Sequence, residues 1–521
     1  MKFMLSPFTK IAALVLALLP SVRGADNILL IIADDLGADS FPLTASAGAS
    51  LPPMPNIAAL KTSGVLFRNA YAHPTCSPSR AAMLTGRHPF RTGIGEALMG
   101  ATSPQLAATE FTLPDAFAAN AALGYQLASF GKWHLTSGAG TNNTPRTIGG
   151  WTYFAGSITG ALTDYFVWSK VTVGPVNNMP TTTTSMTYAT TDTVNDAIAW
   201  IQARGTSPWF AWVGFNAPHT PFHIPPTDLH SYGSGTLTNR QKFEAAAEAL
   251  DMEVGRLLSA LTPAVRAKTH IIFLGDNGTP PQVVQAPYTA AHAKDSLYEG
   301  GTRVPMIVAG PAVVNPNRDS TALVHCADLY STILELAGIN VSATQPIANP
   351  IDSHSLLPIL QNTSDTARFA FSQQFGGTLT TSESGKALRD GLGYKLIQFL
   401  DGHEELYNVS TDTNEASNLL SGALSAAAQA SYYGLKIEMG KYQTTLATPV
   451  VQSTALNGTQ FTVRVNKTAG AAYTLFRSSA LNYGTWLPVS GATFVDEGAT
   501  VALGDPAASS AALFYRVMAQ Q

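Results

Sequence analysis

Residues 27–33 run apolar from Ile28 to Ala33 without interruption until they meet Asp34 and Asp35. An unbroken run of this length predicts a strand buried on both faces, as in a parallel sheet. Similar runs recur at 125–130, 209–215 and 270–274, separated by helical patterns such as 245–261. The alternation predicts an α/β fold: a large mixed, mostly parallel sheet flanked by helices. Ligands bind such sheets outside the carboxyl ends of the strands. The groups just past the four runs are Asp34-Asp35, Lys132 with His134, His219, and Asp276-Asn277. Four strand ends are thus expected to deliver acids, a lysine and two histidines to one crevice.

An amphipathic helix at 327–337 leads to a Pro- and Ser-containing stretch, 351–365, after which a second unit begins. Its segments are 388–400 and 405–408, then a helical tail to about residue 446, a smaller α+β C-terminal subdomain. From Thr448 the chain turns to Thr/Ser/Ala-rich segments with period-2 alternation, 460–465, 473–477 and 512–517, the pattern of an appended small all-β module. That module reads as a cell-surface or secretion appendage, with glycan binding as the other reading. The expected division is 1–24, 25–360, 361–446 and 447–521. The tract 181–193 reads as a polar, solvated loop.

Residues 2–10 are basic, 11–19 apolar, and Val22-Arg23-Gly24 offers a small-residue cleavage site, so 1–24 reads as a secretory signal. Its apolar run is too short to span a membrane, which needs about 20 residues. The expected location is therefore exported: periplasmic, secreted or cell surface. The 521 residues carry a net charge of −4, and losing Lys2, Lys10 and Arg23 with the leader makes it −7. With no basic stripe, nucleic acid is excluded as a partner. An anionic ligand has to be drawn by a local cluster. Two cysteines make no disulfide framework.

The most informative stretch is Cys76-Ser77-Pro78-Ser79-Arg80-Ala81-Ala82-Met83-Leu84-Thr85-Gly86-Arg87. Pro78 suits a first helical turn and Gly86 the position past the end. Cys76 then sits at the positive end of the helix, with Arg80 one turn along, as in an anion-handling nucleophile site. Taken alone, such a cysteine also reads as a buried small hydrophobe or as a disulfide partner of Cys326.

The stretch resembles the sulfatase signature, Cys-x-Pro-Ser-Arg-x-x-x-Leu-Thr-Gly-Arg, at every defining position. The resemblance extends over roughly residues 26–445. It implies a formylglycine-dependent sulfuric ester hydrolase of the alkaline phosphatase superfamily, in which Cys76 is oxidised to a Cα-formylglycine whose hydrate is the nucleophile. A formylglycine-generating or equivalent maturation enzyme is then a required partner. Gly131-Lys132-Trp133-His134 and Ala217-Pro218-His219 resemble further family segments, and Lys294 matches the family's second lysine. The implied catalytic set is Cys76, Arg80, Lys132, His134, His219 and Lys294. Glu299 and Arg303 read as loop braces, and His223, His292 and His354 as structural residues.

Asp34, Asp35, Asp276 and Asn277 offer only hard oxygens, a set suited to Ca²⁺, with Mg²⁺ as the alternative, and unlike a zinc site. They resemble the family's calcium site, which residue 76 also faces. Three clustered carboxylates repel unless a cation joins them. Cleavage of a sulfate ester calls for as much as ~20 kcal/mol of transition-state stabilisation, more than one cation supplies. The resemblance assigns sulfate charge to the metal, Arg80, Lys132 and Lys294. Protonation of the leaving oxygen falls to His219 with Lys294, and removal of a proton from residue 76 to His134. The expected substrate is a sulfated small molecule or glycan. The alternatives are a phosphonate or phosphate ester hydrolase of the same superfamily and a non-catalytic glycan-binding surface protein.

Overall fold

The computed structural model describes residues 25–520 apart from 139, 175–178, 234, 365–367, 443–450, 468–471, 480–486 and 509–512. The expected leader, 1–24, and the start of the expected strand at 512 lie outside the described residues. No helix among the described residues is long and apolar enough to cross a membrane.

The main sheet is built from β1 (Asn27–Ala33), β2 (Gly64–Tyr71), β3 (Gln126–Lys132), β4 (Tyr153–Ser157) and β5 (Trp168–Val173), with β6 (Thr181–Ser185), β7 (Trp209–Gly214), β8 (Thr269–Gly275), β9 (Arg303–Ala309) and β10 (Arg318–His325). Their order is β10-β2-β9-β8-β1-β7-β3-β4-β5-β6. The centre, β8-β1-β7-β3-β4, is parallel, with Ile28 opposite both Phe210 and His270. β9 runs antiparallel to its neighbours, and β5 and β6 form an antiparallel edge. The sheet is mixed and mostly parallel, as the apolar runs predict.

The unbroken run of β1 is explained by its surroundings. Ile28, Leu30 and Ile32 pack on one face with the helices Cys76–Thr85 and Asp328–Leu336. Leu29, Ile31 and Ala33 pack on the other with Ala189–Gln202 and Asn239–Ser259. Each buried Leu or Ile contributes roughly 1.5–3 kcal/mol, so β1 anchors both layers.

Two expectations are corrected. The helix expected at 245–261 starts at Asn239, because Thr238 and Gln241 form a reciprocal cap: Thr238 N–H donates to Gln241 Oε1 (3.0 Å) and Gln241 N–H to Thr238 Oγ1 (3.3 Å). The tract 181–193 is not a loop. Its first four threonines form edge strand β6, whose branched side chains suit a pleated surface, and a helix begins at Ala189, with 186–188 as the connection.

Four further strands, β11 (Ala370–Gln374), β12 (Gly385–Arg389), β13 (Tyr394–Phe399) and β14 (Glu404–Asn408), form an antiparallel sheet. Leu388, Leu396 and Leu406 on this sheet cover Leu435 and Met439 of the helix Ala426–Met439. Beyond residue 450, the described strands form two small antiparallel sheets around Val463, Val465, Leu475, Val501 and Leu503.

Candidate active site

Central strands β8, β1, β7 and β3 are neighbours, so the segments leaving their carboxyl ends lie side by side. Asp34 and Asp35 leave β1, Asp276 and Asn277 leave β8, Lys132 ends β3, and His219 lies beyond β7. Asp35 and His134 both adopt left-handed backbone, with φ of 69° and 53°. That conformation is costly for non-glycine residues and is concentrated at functional sites.

Each carboxylate meets a cation. Lys132 Nζ lies 2.6 Å from Asp34 Oδ2, Lys294 Nζ 2.6 Å from Asp35 Oδ1, and Arg80 NH2 2.9 Å from Asp276 Oδ2. Arg80 also donates through Nε to Asp276 (2.9 Å) and through NH1 to the Lys132 carbonyl (2.9 Å). The mutual repulsion expected of the acids is therefore met by three ion pairs. Arg80 is fully buried, and the sheet makes room for it: a Cβ on Gly214 would stand 2.8 Å from Arg80 NH1.

Cys76 begins its helix, and all ten helix residues are buried up to the left-handed Gly86. Its Sγ lies 3.1 Å from His134 Nδ1. His134 Nε2 faces the Leu98 carbonyl at 3.0 Å, which fixes the proton on Nε2 and turns an unprotonated Nδ1 toward residue 76. Ser77 Oγ ties the same loops together, donating to the His134 carbonyl (2.9 Å) and accepting from Leu98 N–H (3.2 Å). Gly160 completes the slot, since a Cβ there would come within 2.3 Å of the His134 ring. Both cysteines are free and buried, so the disulfide with Cys326 does not form. Burial raises the Cys76 thiol, against the pull of Lys132 and Lys294.

The oxygens left over suit a hard cation. Asp34 Oδ1 and Asn277 Oδ1 are buried without a hydrogen-bond partner. Asp35 Oδ2 stands 3.7 Å from His219 Nε2, and Asn277 Nδ2 donates to Asp35 Oδ1 (2.8 Å), turning its own oxygen elsewhere. Two orphaned acceptors beside three carboxylates fit an oxygen-liganded ion. Burial raises the Asp34 carboxyl, opposed by Lys132 and reinforced by Asp276 and Asp35. Asp35 moves the other way: burial is outweighed by Lys294, His219 and Lys132. Burial also pushes His219 down to about 4, with Asp35 opposing it and Lys294 adding to it. Asp35 holds Lys294 charged despite burial.

All the candidate residues thus meet in one buried network. The Leu98 carbonyl, the Ser77 hydroxyl and Gly160 join them, none of which carries a sequence signal. Tyr165 donates to the carbonyls of Asn216 (2.5 Å) and His219 (2.8 Å) and so fixes the His219 loop. Glu299 is bonded to Tyr71 (2.8 Å) and Lys395 (3.2 Å), and Arg303 to the Arg68 carbonyl. His223 stacks on Tyr165 and His292 on Tyr298, while His354 is exposed.

A second imidazole cluster lies apart from this network. His73 Nε2 is 3.3 Å from His88 Nδ1, and His325 packs against both rings. His73 Nδ1 and His325 Nδ1 accept main-chain N–H from Gln373 (3.2 Å) and Ala327 (3.1 Å), so their neutral rings turn N–H rather than lone pairs inward. Burial pushes His88 down to about 3 and holds His73 and His325 well below the usual value. An unfolded chain takes up these protons near pH 6.5 while the folded chain does not. Stability is therefore complete above about pH 6.5 and falls as pH drops toward 3, by up to about 1.4 kcal/mol per pH unit per histidine. Urea unfolding at pH 7.5 and 5.5 checks this. His325→Asn should show a shallower loss over that interval, and an unchanged loss would remove the cluster from the account.

Comparison with known proteins agrees with the geometry. The family model described as Sulfatase matches residues 26–339, and the model described as N-sulphoglucosamine sulphohydrolase, C-terminal, matches 290–439. A Sulfatase of Formosa agariphila is 27% identical over 474 residues, covering 76% of this chain and 84% of the relative. N-acetylgalactosamine-6-sulfatase of Sus scrofa is 28% identical over 388 residues, covering 69% and 70%. The crystal structure of Ps i-CgsB in complex with k-i-k-neocarrahexaose shares the fold, with a TM-score of 0.65 at 24% identity, covering 80% of this chain and 91% of that one. With the family model spanning more than half of its length, this chain belongs to the sulfatase family and is a sulfuric ester hydrolase.

Proposed function

We propose that the chain hydrolyses sulfate esters of a carbohydrate outside the cytoplasm, after oxidation of Cys76 and with a bound Ca²⁺. The observation that carries this reading is the pairing of Cys76 Sγ with an unprotonated His134 Nδ1, 3.1 Å away, inside a network of three buried cations. The named substrates of similar proteins, an N-acetylgalactosamine 6-sulfate among them, support a sulfated sugar. A formylglycine at position 76 supplies an oxygen nucleophile when hydrated, and Ca²⁺, held by Asp34, Asp35, Asp276 and Asn277, neutralises charge.

The chain's own side chains do the rest. Arg80, oriented by Asp276, fixes the side chain of residue 76 one turn before it. Lys132 and Lys294 face the sulfate oxygens as fixed charges in a dry site, where they act without reorganising. His134 Nδ1 takes a proton from residue 76. Lys294 stands charged beside His219, and the two deliver a proton to the departing alcohol; an arriving sulfate offsets the lysine charges that depress His219. A plain thiolate mechanism is disfavoured, because burial raises the thiol. The unit 25–360 carries this chemistry, 361–446 closes one side of it, and 447–521 is an accessory module. Export is inferred from the leader read at 1–24.

The test is turnover by purified, matured protein of an aryl sulfate, an aryl phosphonate and a panel of sulfated sugars. Sulfate esters should exceed the phosphonate by at least about tenfold in kcat/KM. Phosphonate preference, or no sulfate turnover, overturns the reading.

A further inference from the structure

A cavity of about 330 Å³ opens beside the site between the main sheet's loops and the four-stranded sheet. Three of its walls adjoin the catalytic network directly. Thr75 precedes Cys76, Asp295 comes directly after Lys294, and Ala97 and Met99 flank Leu98, whose carbonyl holds His134. The fourth wall comes from the C-terminal unit through Gln374 and Thr378. The two units are laced together here: Phe375 N–H donates to the Gly95 carbonyl (3.0 Å), and Glu96 accepts from Gly377 N–H (3.1 Å) and Thr378 N–H (3.2 Å).

The charged groups in these walls are carboxylates. Asp295 is exposed, stands in left-handed backbone (φ 70°), and its carboxylate has no hydrogen-bond or ion-pair partner among the described residues. Gln374 is buried and commits its Nε2 donor to the carbonyls of Asp295 (3.2 Å) and Glu383 (2.6 Å), leaving Oε1 without a partner. Thr75 Oγ1 is likewise buried without one. Glu96 adds a second carboxylate. No lysine or arginine lines the cavity among the described residues.

We propose that this cavity is the specificity site for the leaving alcohol, and that its acidic walls, without lysine or arginine, select an uncharged, hydroxyl-rich sugar ring bearing a single sulfate. This rests on the carbohydrate sulfatase reading above and narrows it. Sugar hydroxyls donate to the Asp295 carboxylate, while a second sulfate or a uronic carboxylate on the same ring meets Asp295 and Glu96 with no lysine or arginine among the residues that line the cavity. Discrimination of this kind combines a matched hydrogen bond with a repulsive element against the wrong ligand. The volume is near the lower end for ligand sites, about 300–1,000 Å³, room for one ring rather than a chain. Asp295 is the specificity-determining residue, placed by its neighbour Lys294 at the boundary between the scissile sulfate and the ring.

The test compares the matured protein with Asp295→Asn, a substitution that keeps both the shape and a residue at ease in left-handed backbone. Three probes are used: an aryl sulfate, a monosulfated neutral hexose, and the same hexose carrying a second sulfate. The native protein should prefer the monosulfated over the disulfated hexose by at least about tenfold in kcat/KM. In the variant, KM for the monosulfated hexose should rise roughly 10- to 100-fold with kcat little changed. The preference over the disulfated hexose should shrink, and KM for the aryl sulfate, whose ring offers Asp295 no hydroxyl, should rise by less than KM for the monosulfated hexose. Equal or better turnover of the disulfated hexose by the native protein overturns the proposal, as does a variant that loses aryl sulfate turnover in parallel, since Asp295 would then act through Lys294. Aryl sulfate turnover without any hexose turnover overturns this proposal and leaves the sulfatase activity standing. Loss of all turnover in the native protein overturns the function proposed above.

Discussion

Cys76→Ala is expected to abolish sulfate ester turnover, by on the order of 10⁵-fold or more, while leaving a folded protein. Removing a nucleophile that acts as one unit with its base forfeits nearly all the chemical acceleration. The structural cost is small by comparison. Cys76 is buried, and its sulfur makes one hydrogen-bond-length contact, to His134. Alanine keeps the helical backbone and leaves a void about the size of one sulfur atom, so a loss of about 1 kcal/mol and a slightly lower Tm are expected. The informative comparison is with native protein made in a host without a maturation enzyme. That protein should be as inactive as the variant, because burial raises the thiol at position 76 and keeps it from ionising, and more stable, because it retains the sulfur and its contact with His134. In active preparations, the tryptic peptide of residues 69–80 should show by mass spectrometry the decrease that accompanies exchange of a thiol for an aldehyde. Full activity with an unmodified cysteine would reject the oxidised nucleophile.

The site is legible in the sequence because its groups sit at the ends of elements that announce themselves. The apolar run from Ile28 to Ala33 has the length and composition of a central strand, and the residues leaving such a strand in a parallel sheet reach the crevice, so position along the chain is enough to place Asp34 and Asp35. Asp276 and Asn277 are placed by the apolar run before them. Cys76 and Arg80 are placed by the twelve-residue motif, not by periodicity. The hidden part of the site depends on contacts between loops distant in sequence. Leu98 matters through its carbonyl, Ser77 through bonds to both Leu98 and His134, and Gly160 through the side chain it lacks. Backbone groups and missing atoms carry no residue-type signal. The charge pairing is likewise invisible: clustered acids suggest repulsion, whereas each meets a lysine or arginine from another element. The threonine tract at 181–193 misleads because its polarity mimics irregular structure, although an edge strand needs no apolar face.

Calcium should stabilise the protein, and Asn277 should be the residue that shows it without recourse to activity. With three acids already paired to three bases, the cation is not needed to relieve repulsion. Its gain comes from satisfying Asp34 Oδ1 and Asn277 Oδ1, two buried acceptors that the chain leaves without partners. An ion bound only by the folded state stabilises it by about 2.7 kcal/mol at a concentration one hundred times its Kd. Chelated protein titrated with Ca²⁺ should therefore show a Tm that climbs with concentration. Asn277→Leu keeps the volume and removes both the ligand oxygen and the amide that steers Asp35 (2.8 Å). That variant should start less stable, by about 1–3 kcal/mol, because the Asp35 carboxylate loses a donor in a dry site. Its Tm should then respond weakly or not at all to Ca²⁺. A Tm indifferent to Ca²⁺ in the native protein, or equally responsive in the variant, would mean that these oxygens serve the lysines alone and that the oxygen-rich end of β1 and β8 is an ion-pair network rather than a cation site.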